Sequence, residues 1–578
     1  MTTLEETAAT ALYALLADRG ALLNTPVDQQ VLVQVQSGAG LHELAQQLAV
    51  EDYYLVTVVA NDERELEDRR YKIYYVFSHP AADLFLTIEY LLDHGSASYC
   101  SIRDHFLAVE PFERELCDMV GLCPAANEDS AATQPTVRGG SWLHDAYPAD
   151  LFPLRRTHTA VKLSERVAAY TPGGAPSGSA ADGTADVLDG EPVGMTFPVG
   201  PIHAGIIESG QFLFTTAGET IEDLQLRLGY THRGVERMFQ SYVNLTEGWR
   251  LAEQVSGDTS FAHSLAYCRA TEVLTDTQVP TAAELLRALF LELERIHNHV
   301  ADLGGLAEDV GMDQFAAEFA VIREEVLRLN KRLTGHRYLR AVNRVGGVRI
   351  AGSLDPADVT GVLGKWIGTF EELATSLTAR SGFRERTIRV GVLTSQEALK
   401  LGVTGLVARA SGIPRDSRLG HPVGAYRGTG HILRAAQPVL GDDREAAAGD
   451  VFARTLVRAR EVLVSQRLIE WLVDQWSQLA EAERGNLAAE PRIFPENNYT
   501  SAIGYAEGCR GDVVYWLMQD KMNGIYRCKV RDPSMLNWPA LRACALPGTV
   551  DGARAETLVA DFPLLNKSFS LSYAGNDL

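Results

Sequence analysis

Residues 255–267 read Val255-Ser256-Gly257-Asp258-Thr259-Ser260-Phe261-Ala262-His263-Ser264-Leu265-Ala266-Tyr267. A glycine-containing turn places hydroxyls at 256 and 259 and then runs into an apolar stretch interrupted by His263. Near the other end of the chain, Ser572-Tyr573-Ala574-Gly575 repeats the same i, i+3 spacing with small residues. A soft, low-spin transition-metal centre needs thiolate ligands, which neither a hydroxyl nor a glycine supplies. The seven cysteines (Cys100, Cys117, Cys123, Cys268, Cys509, Cys528 and Cys544) lie elsewhere, none in C-x-x-C spacing. Buried thiols are expected, and neither a disulfide framework nor a zinc or iron–sulfur site within this chain.

At 578 residues the chain exceeds one hydrophobic core, so two or more domains are expected. The 53 basic and 75 acidic residues leave a net charge of −22, which argues against nucleic acid and anionic membrane surfaces as direct partners. No uncharged apolar run is long enough to span a bilayer, and the first residues (MTTLEETAATAL) lack a basic region followed by an apolar stretch. A cytoplasmic protein is expected, peripheral on the cytoplasmic face if other proteins anchor it to a membrane. Neither G-x-x-x-x-G-K nor G-x-G-x-x-G occurs, so no site for nucleotide phosphates or a dinucleotide is expected.

The stretch 167–192 (VAAYTPGGAPSGSAADGTADVLDGEP) is rich in Gly, Ala, Ser, Pro and Asp without hydrophobic period, and reads as a flexible linker. Before it, residues 1–166 show helical spacing over 4–17 and 40–48. Strand patterns cover 31–35, 53–61, 72–78 and 85–90, as in a small α/β domain. After it, residues 193–578 open on a hairpin pattern at 210–219. Amphipathic helices follow over 282–302, 314–334, 356–378, 395–401 and 446–482, then strands over 501–507, 512–517 and 526–530. The fold class is α+β: a small α/β domain linked to a mainly helical one with β pieces at both ends.

The first domain carries Glu113-Arg114-Glu115-Leu116-Cys117-Asp118-Met119-Val120-Gly121 and Phe152-Pro153-Leu154-Arg155-Arg156. These resemble the E-R-E-x-x-D-x-x-G and P-L-R blocks of the 30 kDa-type subunit of respiratory complex I, a docking domain without chemistry of its own. Local ion pairs at i, i+3 and i, i+4 on a helix end read the same charges without function. The second domain opens with Gly200-Pro201-Ile202-His203, then His232-Arg233-Gly234-Val235-Glu236-Arg237. Asn343-x-x-Gly346-Gly347, Arg409-Ala410-Ser411-Gly412 with Asp416 and Arg418, and Arg510-Gly511-Asp512 follow in order. This series is similar to the hydrogenase-like subunit of complex I and to the large subunits of energy-converting, group 4 nickel–iron hydrogenases. The fused layout resembles that of formate hydrogenlyase. In that family C-x-x-C pairs stand at the positions of Ser256/Thr259 and Ser572/Gly575, so all four thiolate positions are empty here.

The resemblance implies a subunit of a membrane-associated complex I-like or hydrogenase-like oxidoreductase, with no nickel–iron centre of its own. Its partners would be a complex I-like small subunit carrying an iron–sulfur cluster and a complex I-like membrane subunit, with a quinone as one acceptor. By family position His203 is the candidate proton donor to that acceptor and Tyr242 the candidate second contact. Both also read as a hydrogen-bonded structural His and an ordinary half-buried Tyr. His232, Arg233 and Glu236 read as an acid–base cluster near the partner's iron–sulfur cluster, or as a helix-end ion pair. Arg409, Asp416 and Arg418 line the former metal cavity by the same resemblance, with Asp416 the expected counter-ion of Arg409. A non-catalytic scaffold coupling the complex to its membrane subunits is the alternative reading.

Overall fold

The computed structural model describes residues 23–27, 30–79, 82–125, 148, 150–156, 160–169, 194–205, 207–351, 355–435, 442–495, 498–550 and 553–578. In the first unit, strands β1 (Leu23–Val27), β2 (Gln30–Val35), β3 (Tyr54–Asp62), β4 (Tyr71–His79) and β5 (Ala82–Leu91) form one sheet of order β1-β2-β5-β4-β3. Only β2 and β5 pair in parallel, and the helix Gly38–Val50, capped by Ser37, follows β2. The β-branched and aromatic runs of β3 and β4 do not alternate because both faces of the sheet are covered. One face holds Val58, Ile73, Tyr75 and Phe77 against Leu41, Leu44 and Leu48. The other packs Val56, Val59, Tyr74 and Val76 against Ile503, Val514 and Trp516 of the second unit. The two units thus share a core, and the Tyr74 and Trp516 rings lie 4.8 Å apart.

The second unit is built on helices Ser260–Leu274, Thr281–Asp309, Asp313–Thr334, Pro356–Ala379 and Val451–Gln478, whose apolar residues join in a single cluster. The sheet Ser501–Glu507, Asp512–Gln519, Ile525–Arg531 lies on the first of these. The contact is so close that a β-carbon on Gly504 would stand 2.1 Å from the Ala266 carbonyl oxygen. A second sheet, Met195–Val199, Gln211–Ala217 and Thr220–Arg227, packs on helices Pro533–Ala545 and Phe562–Phe569. The α+β class and the mainly helical second unit are as expected.

Several expectations differ from the structure. The segment expected as one helix over 446–482 is three, Asp443–Ala446, Val451–Gln478 and Glu481–Gly485. Gly449 breaks the first junction with φ +76°, and Asp450 caps the long helix by accepting from Ala453 N at 2.7 Å. Helix Ala160–Ala169 continues through the start expected for the linker; the rest of that linker, and the helix expected over 4–17, lie outside the described residues. Cys117 and Cys123 form a disulfide, which the spacing did not announce. A π-helical turn, Leu116–Val120, and the left-handed Gly121 bring their Cα atoms to 4.7 Å across six residues. Cys268, Cys509, Cys528 and Cys544 are free and buried, and Cys100 is half-buried. Among the described residues no helix is long and apolar enough to cross a membrane.

Candidate functional site

The turn at 255–259 and the segment 572–575, more than three hundred residues apart, meet in the interior. Ser572 Oγ donates to Ser256 Oγ at 3.1 Å, and Gly575 N donates back to Ser572 Oγ at 2.9 Å. Ser256 Oγ in turn donates to Asp258 Oδ1 at 2.9 Å, and Asp258 is ion-paired with Arg510. Burial opposes ionisation of Asp258, but Arg510 outweighs it and holds the carboxyl well below its usual range. A β-carbon on Gly575 would stand 2.5 Å from Asp532 Cγ. Asp532 is itself fixed by His263 Nε2 at 3.1 Å and Ser534 N at 2.7 Å. Thr259 is buried with its hydroxyl unpartnered. Three of the four positions singled out in the sequence, Ser256, Ser572 and Gly575, therefore close on one another and on two carboxylates. With no thiolate at any of the four and Asp532 in the space of the last, these residues do not fit a nickel–iron centre.

Beside this closure, Arg409, Asp416 and Arg418 belong to a buried charge network. Arg409 Nε donates to Glu461 Oε1 at 2.7 Å and its Nη1 to Glu507 Oε1 at 2.9 Å, while Asp416 is 3.9 Å away. The expected Arg409–Asp416 pair is thus secondary, because Asp416 is engaged by both ends of Arg418, at 3.0 and 2.6 Å. Arg418 Nη1 also reaches both oxygens of Glu292, and Arg295 joins Glu292 to Glu461. His299 Nε2 lies 3.0 Å from Glu461. Burial would raise Glu461, but Arg409 and Arg295 outweigh it and hold the group well below its usual range. Burial and Asp416 push Glu507 up. Both guanidiniums of this trio, Arg409 and Arg418, are ion-paired with buried carboxylates.

His203 lies at the edge of the same region. Its Nε2 is 3.2 Å from Tyr573 Oη and its Nδ1 3.4 Å from the Pro201 carbonyl. Burial pushes Tyr573 up to about 12, so its hydroxyl keeps its proton and can donate to Nε2. Glu208 accepts from Ala574 N at 2.9 Å, tying the His203 loop to the closing segment. Tyr242 does not join this pair. It is 68% exposed and lines a cleft of about 250 Å³ with Met119, Leu154, Leu163, Arg233, Arg237 and Met238.

The expected His232–Arg233–Glu236 cluster is split. Glu236 is buried and turns inward, accepting from Arg527 at 2.6 Å, Lys529 at 3.1 Å and Val530 N at 3.0 Å. Burial would raise its pKa, but Arg527 and Lys529 outweigh it and lower it. Lys529 also binds Glu115 of the first unit, so Glu236 and Glu115 share one ammonium across the boundary between units. Arg233 points the other way, donating to Val255 O at 2.8 Å from an exposed position. His232 is largely buried, which depresses its pKa despite Asp577. Among the described residues no group of three or more His, Cys, Asp or Glu is arranged to hold a metal ion.

Sequence reasoning passed over Glu292, Glu461, Glu507, Asp258 and Asp532. The available signal was Glu292, Arg295 and His299 at i, i+3 and i+7 within Ala282–Asp302, charged groups on a helix otherwise apolar enough to be buried. Tyr573 was visible only as a neighbour of the small residues around it.

Residues 309–552 match the family model of the respiratory-chain NADH dehydrogenase 49 kDa subunit, and residues 34–160 that of the 30 kDa subunit. The chain is 29% identical to formate hydrogenlyase subunit 5 of Escherichia coli over 91% of its own length and 84% of that protein. It is 31% identical to the membrane-bound hydrogenase subunit alpha of Pyrococcus furiosus, over 59% of this chain and 80% of that one. It is also 31% identical to an NADH-quinone oxidoreductase subunit of Roseiflexus, over 59% and 89%. A chain of the archaeal membrane-bound sulfane sulfur reductase shares the fold with a TM-score of 0.57 at 22% identity, covering 67% of this chain and 98% of that one.

Proposed function

Because the chain belongs to the family of complex I 49 kDa and membrane-bound hydrogenase large subunits, with a 30 kDa-type domain fused ahead of it, and so is a subunit of a membrane-associated respiratory complex of that kind, we propose that it works there as a metal-free coupling subunit. It receives the iron–sulfur cluster of a complex I-like small subunit on the Arg233 side and rests on a complex I-like membrane subunit, peripheral on the cytoplasmic face. The observation that supports this is the closure of Ser256, Ser572 and Gly575 with Asp258 and Asp532, which fills the space between the two segments with hydrogen-bonded protein. Affinity purification of the tagged chain from membranes tests it. An iron–sulfur subunit and a membrane subunit should accompany the chain, and recovery as a lone species in mild detergent would contradict it.

A second reading is favoured by one contact, the His203–Tyr573 hydrogen bond at 3.2 Å. A quinone-like acceptor reduced at this edge needs a proton donor within hydrogen-bond reach, and a phenol backing an imidazole provides one. The partner subunits would complete such a site. Quinone reductase assays on membrane vesicles separate the readings: His203→Ala lowers the rate sharply with the complex intact if the edge is the acceptor site, and leaves it unchanged if the chain only couples.

A further inference from the structure

The disulfide between Cys117 and Cys123 sits where the first unit meets the cleft that Arg233 and Tyr242 line. Cys117 belongs to the π-helical turn Leu116–Val120, and Cys123 pairs with Ser98, its N donating to Ala97 O at 3.0 Å. The bond thus ties the turn to the 97–99 segment. The strap 151–156 hangs on the same turn: Leu154 N donates to Met119 O at 3.0 Å, and Arg155 Nε donates to Val120 O at 2.6 Å. Their approach is so close that a β-carbon on Gly121 would stand 2.5 Å from Arg155 Nη2. Met119 and Leu154 form one wall of the cleft, and Arg237 of another wall donates from Nη1 to Arg155 O at 3.4 Å. The disulfide therefore holds the turn, the turn holds the strap, and both shape the cleft.

Three observations favour a reversible couple over a permanent staple. The bond closes a loop across a separation of only six residues, where the entropic gain from a crosslink is small. Both cysteines are half-buried and open to a thiol from solution, whereas Cys268, Cys509, Cys528 and Cys544 are buried. A π turn is rare and recurs mostly at functional sites.

Resting on the reading that the chain works at the cytoplasmic face and receives a small subunit on its Arg233 side, we propose that Cys117 and Cys123 form a thiol–disulfide exchange site. It takes thiols of the glutathione class, and its state sets how firmly the cleft is formed. In the cytoplasm such thiols keep permanent disulfides from persisting, so a bonded pair there is one that exchanges. A thiolate attacks one sulfur, the Cys117–Cys123 bond breaks and a mixed disulfide forms. A second thiol attacks that mixed disulfide and frees the remaining cysteine. Two small thiols are oxidised to one disulfide as Cys117 and Cys123 become two thiols, and the oxidised small disulfide reverses the exchange. In the bonded state the turn and strap are pinned and the cleft is preformed. In the dithiol state Cys117 is released from the 97–99 segment, and the wall carrying Met119 and Leu154 loosens.

The test equilibrates the affinity-purified complex in buffers running from fully reduced to fully oxidised glutathione, then alkylates free thiols and locates them by peptide mass spectrometry. Cys117 and Cys123 should convert together between the bonded and the doubly alkylated form within that series. Retention of the small subunit on the immobilised chain should be several-fold lower in the reduced buffer. Cys117→Ser and Cys123→Ser chains should show the low retention in both buffers. A bond that survives fully reduced glutathione, or equal retention of the small subunit by the bonded and dithiol forms, would overturn the proposal. Absence of a small subunit from the unsubstituted complex in every buffer would instead overturn the reading beneath it.

Discussion

Asp532 Cγ lies 2.5 Å from the point a β-carbon on Gly575 would occupy. The carboxylate stays there because His263 and Ser534 N hold it, both from rigid helices. The arrangement therefore opposes metal binding at this place sterically as well as chemically. Placing cysteines at 256, 259, 572 and 575 should not create a nickel site, and Gly575→Cys alone should destabilise the fold by about 1–3 kcal/mol through overpacking. A thermal melt of the single variant and metal analysis of the quadruple variant check this; bound nickel in the latter would refute it.

Glu294 is fully buried and accepts from Phe261 N at 2.7 Å and Ala262 N at 3.0 Å, without a countercharge in ion-pair contact. Burial pushes it up to about 8. Its folded-state pKa is thus raised above the ordinary carboxyl value near 4.5, so the folded protein binds its proton more tightly than the unfolded chain. The stability this contributes is complete below about pH 4.5 and is lost as pH rises toward 8. Glu294→Gln should remove that dependence, so that between about pH 6 and 8 the unsubstituted protein loses about 1–3 kcal/mol more than the variant. Denaturant midpoints at the two pH values decide it, and parallel losses would refute it.

Arg409 links Glu461 and Glu507, both almost fully buried. Arg409→Ala strips Glu507 of its ion pair and leaves Glu461 with Arg295 alone, and should destabilise the chain by about 3–5 kcal/mol. Protease resistance of the second unit within the purified complex should fall accordingly. A variant as resistant as the unsubstituted protein would show that the network is not structural.

How far the sequence announced all this depended on whether an element keeps one face in water. Helix Asp313–Thr334 was readable to within a residue because its outer face stays polar. Helix Ser260–Leu274 shows no period because all its residues except Val273 are buried, between the Thr281–Asp309 helix and the sheet of 501–531. The lack of thiolates at 256, 259, 572 and 575 was legible because the residue types exclude soft-metal ligation wherever they sit. What fills their place was not: Asp532 and Arg510 come from distant segments, and no local spacing relates them to Gly575 or Asp258. Similarly, Glu236 read as part of a cluster with its neighbours His232 and Arg233. Helix geometry turned it toward Lys529 and Glu115 instead.

Tyr573→Phe removes the hydroxyl that holds His203 while keeping the ring against Trp538 and Gly210. If acceptor reduction occurs at that edge, quinone reductase activity in membrane vesicles should fall several-fold, with complex assembly unchanged. An unaltered rate in both Tyr573→Phe and His203→Ala would leave the coupling role as the chain's whole function.

The central claim, that a hydrogenase-type large subunit here works without its metal centre beside a partner's iron–sulfur cluster, is tested most directly by elemental analysis of the complex purified through this chain. The account predicts iron from a partner cluster and no stoichiometric nickel. One nickel per chain would contradict it.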